Sequence, residues 1–356
     1  LAGSRVRFEL LVGGLAARKR KAIIESLAKG DLDLVVGTHA LLQRDVEFKS
    51  LALVIIDEQH RFGVRQRAAV RAKGPSPHYL VMTATPIPRT LAMTVFGDLD
   101  ITTIEDMPPG RTPVETKVAA PQKHDAAWQF VRKQLNAGRQ AYVVYPIIDE
   151  SDKSQLKAAT TECKRLSQGV FSGYRMSLLH GRLSDEERTS IMSDFVAGKT
   201  QVLVATTVIE VGIDVPNAAC MVIEHADRYG LSQLHQLRGR VGRGGDRGYC
   251  ILMTDSALAV ENERLAILSR TTNGFTIAEE DLRIRGPGQM LGLAQHGLPE
   301  LRVADLIEDA ALLRRAQRDA GEIIRDDPKL SSADHAPLKR IVFHRFKEMF
   351  GVVGVG

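Results

Sequence analysis

Short, nearly continuous apolar runs alternate along this chain with amphipathic stretches, and no other feature constrains the fold as strongly. Asp33–Val36, Leu53–Ile56 and Tyr79–Met82 are such runs. Apolar residues on consecutive positions predict strands buried on both faces, because an exposed face would show polar residues at every second position. Between them, Ala16–Ala28 and Val64–Ala72 repeat apolar residues at helical spacing. Strand, helix and strand in succession predict a parallel α/β sheet.

The series breaks at Met107–Pro113, where three prolines and a glycine within seven residues can neither continue a helix nor enter a sheet interior. A second series then begins. Val114–Val118, Ala141–Tyr145, Met176–Leu179, Val202–Ala205, Ala219–Ile223 and Cys250–Met253 read as strands, with helical patterns at Asp125–Leu135, Asp185–Val196 and Ser232–Val241. The expected organisation is a partial first domain over 1–107, a linker over 108–113, a second α/β domain over 114–257, and a mostly helical region with a Gly-rich loop over 258–356. A chain of 356 residues accommodates two or three such units.

Composition removes other classes. With 44% apolar and 26% charged residues the chain can bury a core, and no apolar run approaches a bilayer's thickness. Membrane spans are therefore not expected. Cys163, Cys220 and Cys250 are far apart and form no CxxC pair, which argues against zinc clusters and disulfide frameworks and suits a reducing cytoplasm. A net charge of +5 permits nucleic-acid contact and is equally compatible with a solvated basic surface.

Four segments could carry chemistry. The run Leu53–Ile56 ends in Asp57-Glu58-Gln59-His60. Ligands in open parallel sheets bind beyond the carboxyl ends of strands, so an Asp there can hold Mg²⁺ and a neighbouring Glu can polarise water. A polar strand end capping the next helix is the plainer alternative. Thr83 and Thr85 follow the next strand in MTATPIPRT, where ordinary turn chemistry is also adequate. In ATTVIEVGIDVP, Gly212 allows close backbone approach and Asp214 can accept from a ribose hydroxyl or an arginine, or simply cap a turn. In QLHQLRGRVGRG, Arg240 and Arg243 are three apart and project to one side if helical. Three arginines in six residues without an acid call for an anionic phosphate. Gly198-Lys199-Thr200 imitates the end of a phosphate loop, but it follows a helix and precedes a strand. Gly198 is therefore expected to cap that helix. No true phosphate loop occurs in the sequence.

In this order, DEQH, TATPIPRT, ATTVIEVGIDVP and QLHQLRGRVGRG resemble the motifs of superfamily 2 helicases, ATP-driven motors with two RecA-like domains. DEQHRFGVRQR, DLDITTIEDMPPGRTPV and DLRIRGPG make the chain most similar to the RecG family of branched-DNA helicases. The resemblance implies an ATP- and Mg²⁺-dependent DNA helicase that remodels stalled forks and Holliday junctions in repair and recombination. Asp57 would hold the metal, Glu58 would orient the water, and Arg240 and Arg243 would act catalytically on the γ-phosphate. His60, Gly212, Asp214 and Gln236 would contact the nucleotide. Thr38, His39, Thr85, Arg89, His180 and Thr206 would meet the DNA backbone, while Arg285 and Gln295 would couple the motor to duplex DNA.

The implied partners are branched double-stranded DNA and a single-stranded-DNA-binding protein, at the nucleoid in the cytoplasm. The family carries a wedge domain and a phosphate loop that this sequence lacks, and the sequence starts at Leu1, with Val6–Val12 matching an internal strand. It is thus expected to be a fragment, inactive alone. Two alternatives are the motor of a transcription-repair coupling factor, which typically has DEEQ in place of DEQH, and a non-catalytic DNA-binding module. The related primosomal helicase is disfavoured because its zinc cysteines are absent.

Overall fold

In the computed structural model, residues 3–58, 73–74, 77–83, 100–104, 106, 111–146, 152–206, 214–256, 262–286 and 309–345 are described. The chain divides into two compact units, Leu1–Thr85 and Pro86–Gly356.

In the first unit, strand β1 (Phe8–Leu11) pairs in parallel with β2 (Leu34–Gly37), and β3 (Leu53–Asp57) pairs in parallel with β4 (His78–Met82). Helix α1 (Ala17–Lys29) turns Ile23 and Leu27, one turn apart, onto a small core with Leu11, Ala40 and Val46. Gly30 closes α1 at φ +80°, donating to the carbonyls of Ser26 and Leu27, so that the chain reverses towards β2. The strands were expected to be buried on both faces, and here the structure differs. Phe8, Leu10, Val36, Leu53, Ile55 and Leu80 are exposed. Among the described residues, only one face of the β1–β2 pair is covered by a helix.

The second unit matches the expectation strand for strand. Strands β5 (Glu115–Ala119), β6 (Gln140–Val144), β7 (Met176–Leu179), β8 (Val202–Ala205), β9 (Ala218–Ile223) and β10 (Tyr249–Met253) form one sheet in the order β5-β10-β9-β6-β8-β7. Every pairing is parallel. Successive side chains alternate between its faces. Ala141, Val143, Val202, Val204 and Val222 pack against Trp128, Val131 and Leu135 of α2 (His124–Asn136) and Leu166 of α3 (Asp152–Gln168). Tyr142, Val144, Leu203 and Met221 pack against Met192 and Phe195 of α4 (Asp185–Val196) and Leu231, Leu234 and Leu237 of α5 (Leu231–Arg238). Both faces are thereby sealed, as continuous apolar strands require.

Helix α4 begins with a capping box, in which the Ser184 hydroxyl accepts from the Glu187 amide and the Glu187 carboxylate accepts from the Ser184 amide. It ends as expected at Gly198, φ +72°, whose amide donates to Phe195. Helix α3 was not anticipated. Helix α5 stops at Arg238, three residues earlier than expected, and Gly242 at φ +69° carries the chain out of helical geometry. Helices α6 (Glu263–Arg270) and α7 (Gly274–Arg285) pack on α5. Helices α8 (Ala310–Asp326) and α9 (Ala336–Arg345) follow, joined by a turn in which Asp327 accepts from the amides of Ser331 and Ser332. No helix among the described residues is long and apolar enough to cross a membrane.

Candidate nucleotide and DNA site

Asp57 is the last residue of β3 and is exposed at its carboxyl end, where a ligand of a parallel sheet is expected. One of its oxygens, Oδ1, accepts from the Glu58 amide at 2.9 Å. Glu58 adopts φ +52°, a left-handed conformation uncommon for a residue with a side chain and costing of order 1 kcal/mol or more. The two acids thus lie on a strained turn, with the Asp57 carboxylate engaged by the next amide. Exposed Thr38 and His39 occupy the corresponding end of β2, at the start of a short 3₁₀ turn. Gly37 permits that turn, since a Cβ there would lie 2.2 Å from the Leu11 carbonyl oxygen. His60, Thr85, Arg89, Gly212 and Gln295 lie outside the described residues, as do the helical pattern at Val64–Ala72 and residues 107–110 of the linker.

The arginine-rich segment folds differently from its expectation as a helical turn. Arg238, Arg240 and Arg243 do not share a phosphate-facing surface. Arg238 is buried and donates to the carbonyls of Leu268 and Thr271 at 2.9 Å each, and to His235 Nδ1. It ties α5 to the end of α6, and hydrogen bonds from a charged donor contribute about 1.5–3 kcal/mol each. His235 must be neutral to accept. Burial, reinforced by the charges of Arg238 and Arg111, holds its pKa down at about 4.

Arg240 and Arg243 emerge in the loop beyond α5. Arg243 Nε donates to the Gly239 carbonyl at 2.9 Å, and Nη1 lies 3.6 Å from Asp214 Oδ1. Both charges also act on Tyr142: burial pushes its phenol up to about 12, and the two arginines pull against that shift. Gln236, on α5, is half-buried. The glycines of this segment sit where the chain packs closely on itself. A Cβ on Gly244 would meet the Pro216 carbonyl oxygen at 2.5 Å, and one on Gly242 would crowd Gly248. They let the chain pack on itself and so fix the arginine loop.

Arg111 was passed over in the sequence as part of a linker. Its Nη2 donates to the same Gly239 carbonyl at 3.0 Å. Burial lowers its pKa first, the charge of Arg243 lowers it further, and Asp214 opposes both. The one signal in the sequence was a cation in PPGRTPV with no acid beside it.

The remaining candidates stand at the carboxyl ends of the second sheet. Past β7, His180 Nδ1 accepts from the Arg182 amide at 3.2 Å. Burial lowers its pKa, so the neutral ring carries its proton on Nε2 and offers a donor to an anion. Arg188 fixes the same loop through the Gly181 carbonyl. Thr206, at the end of β8, is buried in the wall of a cleft of about 900 Å³ that is also lined by His124, Arg165, Glu224, His225 and Asp255.

Arg285 lies at the opposite end of α5 from the arginine loop. Its Nε pairs with buried Asp281 at 2.9 Å, and Asp281 also accepts from Ser232. Its guanidinium covers Gly230, where a Cβ would come within 2.3 Å of Nη2. Helix α5 therefore spans directly from Arg285 to Arg240 and Arg243. Asp281, the buried anchor, was not anticipated.

Three family models match the chain in succession. The DEAD/DEAH box helicase model matches residues 2–94, the helicase conserved C-terminal domain residues 122–245, and the C-terminal part of domain 3 of ATP-dependent DNA helicase RecG residues 271–352. The chain is 48% identical over 343 residues to the ATP-dependent DNA helicase RecG of Synechocystis sp., covering 96% of this chain and 41% of that protein. It is 50% identical over 318 residues to that of Thermotoga maritima, covering 89% and 41%. A solved structure described as RecG bound to a three-way DNA junction aligns with a TM-score of 0.65 at 46% identity, covering 87% of this chain and 40% of that one. The chain spans less than half the length of these relatives. With its parallel sheets of RecA-like helicase type and these consecutive matches, the chain belongs to the RecG helicase family.

Proposed function

We propose that this chain is the part of an ATP-dependent DNA helicase or translocase that carries the acid pair and the arginine loop, acting on forks and Holliday junctions in repair and recombination. The observation that carries this reading is the presentation of Arg243. Its Nε is fixed on the Gly239 carbonyl while its Nη edge lies beside Asp214, a posture suited to a guanidinium that meets a triphosphate. Such an arginine contributes about 10³–10⁵ in rate to phosphoryl transfer.

Asp57 and Glu58 supply the acidic groups that the reaction needs. With Oδ1 of Asp57 engaged by the Glu58 amide, the exposed carboxylate retains a second oxygen for a hydrated Mg²⁺, which would neutralise phosphate charge. The donor set fits that ion. Glu58 orients the attacking water, Arg240 and Arg243 stabilise the transferred phosphoryl group, and His60, Gly212, Asp214 and Gln236 hold the nucleotide. Thr38, His39, Thr85, Arg89, His180 and Thr206 contact DNA phosphates, with neutral His180 donating through Nε2. Arg285 and Gln295 link α5 to duplex movement. The working units are 1–107, 108–113, 114–257 and 258–356. The metal is Mg²⁺, the setting is the bacterial nucleoid, and a single-stranded-DNA-binding protein is a partner on resemblance alone.

The test is ATP hydrolysis by a protein of the relatives' length carrying this chain, with and without a synthetic three-way junction. Junction stimulation that declines steeply between 50 and 200 mM salt is expected, because phosphate contacts release counterions. Hydrolysis indifferent to the junction would contradict the proposal.

A further inference from the structure

The Gly239 carbonyl accepts from two guanidinium groups at once, Arg243 Nε at 2.9 Å and Arg111 Nη2 at 3.0 Å. A carbonyl oxygen has two lone pairs, so both acceptor positions are taken. The platform is rigid: the preceding residue, Arg238, is buried and anchored on the carbonyls of Leu268 and Thr271. Two like charges are therefore held side by side, with Asp214 the carboxylate 3.6 Å from Arg243. That arrangement costs energy, and it shows in Arg111 itself, whose positive form is disfavoured by burial and by Arg243. Among the described residues the Arg111 Nε is buried without a hydrogen-bond partner. A residue whose only task was to fasten the segment before β5 would not need a second cation there.

We propose that Arg111 is a positioning residue for Arg243: by occupying the second lone pair of the Gly239 carbonyl and repelling the neighbouring guanidinium, it keeps the Nη edge of Arg243 turned outward for the triphosphate. Without Arg111, Arg243 can use both Nε and an Nη hydrogen on Gly239, or close the 3.6 Å gap to Asp214 into a tight ion pair. Either posture withdraws the charge from the reacting phosphoryl group. The effect falls on the chemical step, because the contact is made as charge develops rather than in nucleotide binding. This inference rests on the proposed role of Arg243.

The experiment is single-turnover and steady-state ATP hydrolysis by the relatives'-length protein in four forms: parent, Arg111→Met, Arg243→Ala and the double variant. Arg111→Met is expected to lower kcat about tenfold with KM for ATP within threefold, and to cost nothing further in the Arg243→Ala background. Arg111→Lys, which keeps a charge and one donor, is expected to recover most of the rate and guards against a folding defect. An equal loss from Arg111→Met in both backgrounds would overturn the proposal, since Arg111 would then act independently of Arg243. So would an unchanged kcat in Arg111→Met when Arg243→Ala is impaired. An unimpaired Arg243→Ala would instead remove the reading of the arginine loop on which the inference stands.

Discussion

Among the described residues, similar strand sequences in the two units reach different degrees of burial. LVIID of β3 and VLVA of β8 are both continuous apolar runs ending at a candidate site. Yet Leu53 and Ile55 are more than half exposed, whereas all four residues of β8 are buried. Among the described residues the helical cover differs as well. The second sheet has α2 and α3 on one face and α4 and α5 on the other, while one helix covers one face of the β1–β2 pair among the described residues. An apolar run records that a strand has the composition for two-sided burial, and the burial itself depends on what packs against it.

The polar anchoring differs in the same sense. Arg7–Asp33 and Arg20–Asp45 tie the first unit together through exposed pairs, which contribute little. In the second unit Arg238 and Asp281 are buried, where each lost partner leaves an unsatisfied group.

The sharpest way to break this contrast is to place a charge on each sheet. Val222→Asp, at a fully buried position of β9, is expected to cost more than about 4 kcal/mol and to unfold the second sheet. Ile55→Asp should cost less than about 1 kcal/mol. Equal losses in thermal melts would mean that the first unit is as closed as the second. Next in size is Arg238→Met, which strands the Leu268 and Thr271 carbonyls and should cost about 2–4 kcal/mol. Arg7→Ala should cost less than that variant, and denaturant titration of both gives the order.

Gly230→Ala forces the Arg285 guanidinium off the start of α5 and should cost about 1–2 kcal/mol. A loss that disappears in an Arg285→Ala background would locate the strain there. A comparably small effect comes from acid. His235 binds a proton near pH 6.5 when unfolded but resists until about 4 when folded. Its contribution to stability is therefore complete above 6.5 and is lost as the pH falls towards 4. Acidification from pH 7 to 5.5 should remove about 1 kcal/mol, and His235→Gln should flatten that part of the profile. A parental profile in the variant would show that some other group titrates.

Much of the second unit could be read directly, because strands buried on two faces and a helix such as Asp185–Val196 carry strong local signals. Helix α3 escaped notice: DKSQLKAATTECKRLSQ offers few apolar residues to mark a face. The candidate residues were found by motif, but their division of labour was not. Arg238, Arg240 and Arg243 look equivalent in QLHQLRGRVGRG, and only the end of α5 at Arg238 separates a buried anchor from residues in the following loop. Likewise, Gly242 and Gly244 answer contacts with Gly248 and Pro216, which a motif does not reveal. Arg111 and Asp281 were missed because their partners lie far away in the chain or on a neighbouring helix.

The central proposal is that Glu58 and Arg243 each act in ATP hydrolysis, Glu58 on the attacking water and Arg243 on the phosphoryl group. Its most direct test is single-turnover ATP hydrolysis, with ATP binding measured alongside, in Glu58→Gln and Arg243→Ala variants of a protein of the relatives' length. Both should bind ATP within about threefold of the parent and lose at least about a hundredfold in the hydrolytic step. Undiminished hydrolysis in either variant, or a loss confined to affinity, would contradict it.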